Sequence, residues 1–207
     1  MIELGKVLSS LKTGKSCDPS GLTSNLFKKP DLRKSLLLML NRTKETLQIP
    51  TFFCNSNIAS IWKKKGDVLQ LQYHRGIFLG SLFKTILMKL IYRRNYKTID
   101  SNMSESNIGG RKGRSCRDHI FVVNGIIQDA LCSKKSKPLD LFICDYKTMF
   151  DGLDVKTTLN DIYDNGVTDD SWVLIYKLYE TNNLSINTPV GQTVRKPVKY
   201  EIITQGD

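Results

Sequence analysis

The residues Phe142–Asp151, FICDYKTMFD, form an apolar run that ends in a carboxylate, Asp145, followed by an aromatic ring at Phe150 and a second acid at Asp151. A carboxylate fixed at the end of a β-strand is a well-placed oxygen ligand, and phosphoryl transfer on two divalent ions needs such ligands. The same side chain can instead cap the following turn, and residue type alone favours the cap. Asp151 reads as the N-cap of the next helix. The pair Asp169-Asp170, after Gly166-Val167-Thr168, reads as first-turn acids at a helix N-terminus rather than as metal ligands.

Two cationic groups could hold phosphate. Lys63-Lys64-Lys65 precedes Gly66, with Arg75 further on. Lysines give point charges and an arginine gives a two-pronged fork, which together suit a triphosphate. Arg111-Lys112-Gly113-Arg114-Ser115 gathers three cations around glycine, where backbone amides and side chains together suit a phosphate backbone. Either run can also be an ordinary solvated loop.

The elements that must position these groups follow from the pattern. Asp31–Gln48 reads as an amphipathic helix between Pro30 and Pro50, with Leu32, Leu36, Leu37, Leu40 and Leu47 near helical spacing. Asn57–Trp62 reads as a short strand leading to the lysine turn. Leu79–Asn95 is the clearest helix, with Leu79, Leu82, Phe83, Ile86, Leu87, Leu90 and Ile91 on one stripe. Gly109–Arg117 reads as a basic loop. Asp118–Cys132 reads as a helix with Ile120, Val123, Ile127 and Leu131 on one face. Leu139–Cys144 is expected to be a strand, then Asp151–Asp164 and Ser171–Thr181 helices. Leu184–Asn187 and Val198–Thr204 are expected to pair antiparallel across Gly191-Gln192. The order gives the class α+β.

The chain has 207 residues and a net charge of +11, unevenly placed. Residues 1–137 hold 25 Lys/Arg against 9 Asp/Glu, and residues 138–207 hold 6 against 11. A basic part followed by an acidic one suggests a polyanion held by the first and cations gathered by the second. No apolar run is long enough for a membrane helix, and the N-terminal residues lack a secretory pattern. Five scattered cysteines, with no CxxC pair, fit a reducing, intracellular setting. Cys116 and His119 have a ligand-like gap but no second pair.

In this order the segments resemble the reverse transcriptases of non-LTR retrotransposons. IASIWKKKGD and YHRGIFLGSLFKTILMKLI resemble that family's fingers segment. SNMSESNIGGRKGRSCRDHIF resembles its Gly- and Arg-rich segment, FICDYKTMFD its polymerase motif A, and Thr204-Gln205-Gly206-Asp207 the start of motif B. KSCDPSGLTSNL, residues 15–26, resembles the family's entry to the fingers. His74 stands between Tyr73 and Arg75 where the family runs Tyr-Arg directly. Gly76 replaces Pro, Gly110 replaces Phe and Met149 replaces Ala.

The resemblance implies a right-hand polymerase, with helical fingers over 1–137 and the first half of a palm sheet over 138–207. It implies RNA-directed DNA synthesis on an RNA template and a DNA primer from dNTPs, with magnesium as cofactor. Asp145 would be a catalytic, metal-binding aspartate. Tyr146 would contact the incoming nucleotide through its backbone, and Phe150 would be the steric gate against a 2′-hydroxyl. Lys65 and Arg75 would hold the triphosphate. Lys63, Lys64, Arg111, Lys112 and Arg114 would meet nucleic acid. Gln205 and Gly206 would lie along the nascent base pair.

The family's second acidic motif, an aromatic–x–Asp–Asp turn, would lie past Gln205-Gly206, and the 207 residues do not contain it. One carboxylate does not make a two-metal site. The expectation is therefore a polymerase portion that is inactive as this chain, or a non-catalytic nucleic-acid-binding remnant. A phosphohydrolase with Asp145 as nucleophile is disfavoured, because Lys147 stands where such enzymes place a second acid.

Overall fold

The computed structural model describes residues 2–14, 17–132, 138–146, 149–188 and 191–198, with the backbone alone at 150–151. The chain forms two compact units, one of Met1–Tyr96 with Thr148–Asp207 and one of Lys97–Lys147. Neither follows the change of charge at 137/138. Helix and sheet are mixed, and no helix among the described residues is long and apolar enough to cross a membrane.

The first unit contains a sheet ordered β2-β1-β3-β4, with β5 also pairing β3. The strands are β1 (Asn55–Trp62), β2 (His74–Gly80), β3 (Asn183–Thr188), β4 (Gly191–Gln192) and β5 (Lys196–Pro197). β1 pairs antiparallel with β2 and parallel with β3, with Ile61 opposite Arg75 and Asn57 opposite Ser185. β4 and β5 both return antiparallel to β3. The expected turn at Gly191-Gln192 is itself a short strand, and residues 199–204 of the expected Val198–Thr204 strand lie outside the described residues.

Helices complete the unit. They are α1 (Ile2–Ser10), α2 (Pro30–Thr46), α3 (Leu82–Asn102), α5 (Met149–Gly152), α6 (Val155–Asp164) and α7 (Asp169–Glu180), and the last turns of α3 enter the second unit. Leu36 and Leu40 of α2, Ile86, Leu87 and Leu90 of α3, and Leu174, Ile175 and Leu178 of α7 are buried. Proline in the first turn starts α2, and Leu47 in the left-handed region (φ 52°) ends it.

Four phenyl rings fill the space before β1. Phe53 is fully buried, stacked on Phe83 at 5.3 Å between centroids, with Phe52 and Phe27 edge-on to Phe83. The Arg94 fork meets the Glu3 carboxylate at 2.8 Å and ties α3 to α1, and the same contact lowers the Glu3 pKa. The pair is half exposed, so its contribution is small.

The expected helix from Asp151 is in fact two. Its N-cap is Asp154, not Asp151, whose backbone lies in α5. Asp154 accepts hydrogen bonds from the Thr157 amide and hydroxyl, each at 2.7 Å. The sequence Asp154-Val155-Lys156-Thr157 offers both donors to one carboxylate, and Gly152 interrupts the helix before it. These bonds favour the ionised form and hold the Asp154 pKa below its ordinary value. A folded-state pKa below the unfolded one gives stability that is present above the unfolded value and lost as pH falls through the folded value. Asp154→Ala should therefore lower Tm at neutral pH, with the difference from wild type shrinking in acid. Asp154→Asn, which still caps, should keep most of the Tm and flatten the acid limb. Equal pH dependence of wild type and Asp154→Asn would remove Asp154 from this role.

The second unit holds α4 (Cys116–Cys132) and the loops around it. Before α4, the Asp118 carboxylate accepts from the Ser115 amide at 2.6 Å and from the Ser115 hydroxyl at 3.4 Å, while the Asp118 amide donates to the Ser115 carbonyl at 3.0 Å. The expected apolar face of α4 exists, but Ile120, Val123 and Leu131 are exposed rather than buried. The expected strand Leu139–Cys144 does not form. A strand needs a ladder partner, none of the described strands pairs with this run, and Phe142 and Ile143 are about nine-tenths exposed, at 94% and 89%.

Candidate nucleotide and nucleic-acid interface

The triphosphate candidates share one antiparallel hairpin. Ile58, Ile61 and Trp62 stand among small polar residues in β1, and the apolar run Ile77–Leu79 carries β2 back to its root. Between them lies a turn from Lys63 to Tyr73. The Lys63 amide donates to the Tyr73 carbonyl at 2.8 Å, which closes the turn. Lys63 also donates its ammonium to the Gln72 carbonyl at 3.0 Å. It is therefore part of the turn's own framework.

Lys64 and Gly66 both take positive φ, 56° and 73°. At Gly66 the backbone lies flat against the Tyr73 ring, and a Cβ built there would sit 2.5 Å from two ring carbons. Asp67 completes the turn by accepting from the Leu69 amide at 2.9 Å. Lys64, Lys65 and Arg75 are exposed and have no hydrogen-bond or ion-pair partner among the described residues. Lys64 and Lys65 project from the closed turn and Arg75 from the strand that follows it.

His74 explains how the hairpin accommodates a residue between Tyr73 and Arg75. Its Nδ1 lies 2.8 Å from the Ser60 hydroxyl and its Nε2 lies 2.7 Å from the Val68 carbonyl. A neutral ring that donates from Nε2 and accepts at Nδ1 satisfies both. The imidazole thus pins the outer turn to β1. Arg75, the next residue, projects from the other face of the sheet, opposite Ile61. Sequence reading missed this pin, and the signal available was the pairing of a histidine with a serine across a strand pair.

Asp18 is a second residue whose role lay hidden. It accepts from the Ser20 and Leu22 amides at 2.9 and 2.8 Å and, through its other oxygen, from the Leu82 amide at 3.0 Å. The segment around Asp18 is thereby fastened to the N-terminus of α3, next to the root of β2.

The arginine-rich loop belongs to the second unit. Arg111 is an anchor more than a projecting cation. Its Nε meets the Asp100 carboxylate at 2.9 Å and its Nη1 donates to the Ser104 carbonyl at 3.0 Å, with the side chain 13% exposed. Lys112 and Arg114 are exposed on either side of Gly113, which takes a φ of 77°. His119 points its Nε2 at the Ser106 carbonyl, 3.0 Å away, so it helps to hold the loop and does not pair with Cys116 around a metal.

Asp145 and Tyr146 lie in the same unit, exposed, on the segment that does not become a strand. Phe150 is placed by its backbone only, in α5. Gln205 and Gly206 lie outside the described residues. Among the described residues no three His, Cys, Asp or Glu side chains come together, so Asp145 lacks the companion ligands that a two-magnesium centre needs. The described side chains alone do not compose such a centre, and no step through it follows from them. Asp169 and Asp170 stand in the first turn of α7, as their helix-start pattern implies.

Protein-family models and curated proteins were both searched with this chain, and neither gives a match.

Proposed function

We propose that the chain is a nucleotide- and nucleic-acid-binding portion of an RNA-directed DNA polymerase of the non-LTR retrotransposon class, with fingers and leading palm. In this reading hairpin β1–β2 takes the triphosphate of an incoming dNTP on Lys65 and Arg75. The loop carrying Lys112 and Arg114 follows a nucleic-acid strand, and Asp145 contributes one carboxylate of the family's metal centre. The observation that supports it most is the exposure of Lys64, Lys65 and Arg75 on one hairpin whose turn is closed by Lys63, Tyr73 and His74. Rigid placement of unpartnered cations is what phosphate recognition requires.

Binding without primer extension is the expected behaviour of these 207 residues, because a two-metal centre needs more than one carboxylate. The test pairs a primer-extension assay on poly(rA)–oligo(dT) with magnesium and a dNTP titration followed by fluorescence. The double variant Lys65→Ala/Arg75→Ala should weaken dNTP binding about tenfold or more. Measurable synthesis by the chain would overturn the inactivity, and dNTP binding indifferent to both residues would overturn the hairpin's role.

A second reading, a nucleic-acid binder without any nucleotide site, is favoured by the 25 Lys/Arg against 9 Asp/Glu over residues 1–137. It is distinguished by salt-sensitive RNA binding, strongest near about 50 mM salt, that dNTP does not compete away.

A further inference from the structure

A second arginine lies on the same sheet face as Arg75, in a different segment, and it has donors left over for an anion. Arg195 sits between β4 and β5, half-buried. Its Nη2 donates to the Asn57 Oδ1 at 2.9 Å and approaches the Ser185 Oγ at 3.5 Å. Asn57 and Ser185 are themselves buried, paired across β1 and β3, and joined by a hydrogen bond of 2.8 Å from the Ser185 hydroxyl to the same Oδ1. Two donors converge on one amide oxygen, which fixes its orientation and, with it, the guanidinium plane.

What is missing is a counter-charge. Arg195 has no carboxylate partner among the described residues, its buried Nε has no hydrogen-bond partner, and Nη1 bonds to none of them. A guanidinium that is partly withdrawn from water and oriented by two neutral groups is costly unless an anion completes its donors. Its planar fork matches a phosphate.

The strand register places it usefully. Asn57 and Ile61 point to one face of β1, Arg75 lies opposite Ile61, and Ser185 opposite Asn57. Arg75 and the Arg195 cluster therefore share that face, about 13 Å apart along β1. We infer that Arg195, oriented by Asn57 and Ser185, is a seat for one phosphate of a nucleic-acid backbone crossing this face of the sheet. The inference rests on the nucleic-acid-binding reading above and adds to it a residue outside the basic half of the chain.

The experiment measures anisotropy of a labelled single-stranded RNA over a salt series, for wild type, Arg195→Gln, Arg195→Lys and the exposed α2 control Lys34→Ala. A glutamine amide can still donate to Asn57 while the charge is gone, and thermal melting reports whether each variant folds. Arg195→Gln is expected to weaken binding about tenfold and to flatten the log–log salt dependence by about 0.7, one phosphate on a single strand. Arg195→Lys should keep the slope and lose part of the affinity. If Arg195→Gln fails to fold, Arg195→Lys decides alone, and unchanged affinity in it overturns the seat.

A second arm replaces RNA with inorganic tripolyphosphate, followed by thermal shift. Loss confined to that arm would overturn the backbone assignment in favour of a free polyphosphate. Unchanged affinity and slope in Arg195→Gln, while Lys65→Ala/Arg75→Ala still weakens nucleotide binding, would sink this inference alone. Absence of salt-sensitive RNA binding by wild type would sink the underlying reading with it.

Discussion

Phe53→Ala should be among the most destabilising single substitutions in the first unit, by about 3–5 kcal/mol. Phe53 is 0% exposed, stacks on Phe83 at 5.3 Å and meets Phe52 edge-on at 5.1 Å. Truncation removes the transfer contribution of a whole ring and leaves a cavity that three other phenyl rings cannot collapse into without giving up their own geometry. For a chain of this size the loss corresponds to a fall in Tm of about 6–20 °C. Against a typical domain stability of about 5–15 kcal/mol the variant stands near the edge of folding. The check is urea unfolding followed by tryptophan fluorescence, with Phe52→Ala as comparison. Phe52 is 37% exposed and should cost clearly less. Equal midpoints for Phe53→Ala and wild type would show that the aromatic cluster is not the support of the β1 root. The position matters for function because Phe53 lies two residues before β1, so the cluster sets where the hairpin leaves the core.

The parts of the fold that could be read from sequence are those fixed by local chemistry. α2 and α7 follow from apolar periodicity and their end signals, and β1 follows from Ile58, Ile61 and Trp62 ahead of a lysine–glycine turn. β2 was hidden because Ile77-Phe78-Leu79 continues the apolar stripe of α3. The boundary is set by Ser81 and Asp18, which cap the helix from outside the stripe: the Ser81 hydroxyl accepts from the Phe83 amide and Asp18 from the Leu82 amide. Leu139–Cys144 has strand composition, yet strand identity depends on a ladder partner, which is not a local property. The candidate site divides in the same way. Charge and glycine marked the lysine turn and the arginine loop, but residue type could not distinguish a projecting cation from a framework one. Lys63 and Arg111 proved to be framework through carbonyls contributed by residues several positions away. The role of His74, marked only as a residue between Tyr73 and Arg75, and Arg195 altogether were missed because their partners lie across the sheet.

Gly66→Ala should abolish most nucleotide binding while changing global stability little, because it acts on the tip of the hairpin. At φ 73° an alanine carries left-handed strain of about 1–2 kcal/mol. Its methyl would also stand 2.5 Å from Tyr73 ring carbons, so the ring or the turn must move. The Tyr73 backbone is held, since its amide donates to the Gln70 carbonyl and its carbonyl accepts from the Lys63 amide, at 3.0 and 2.8 Å, and because Cγ at the base of the ring lies 2.6 Å from the added methyl, relief displaces the whole side chain or the turn. Displacing Tyr73 therefore opens the Lys63 closure and shifts Lys64 and Lys65, and it disturbs His74 beside it. Residues 61–71 are exposed, so little core is lost with the turn. The expected result is a loss in dNTP affinity comparable with that of Lys65→Ala/Arg75→Ala, and faster amide exchange at Lys63. The melting temperature should stay near that of wild type. The added variant Tyr73→Ala separates the two causes. In the double variant Gly66→Ala/Tyr73→Ala the steric conflict is gone and only the backbone strain remains, so part of the binding lost in Gly66→Ala should return. Binding by Gly66→Ala at wild-type strength would mean that the turn is not what positions Lys65, and would leave charge without geometry as the basis of phosphate recognition.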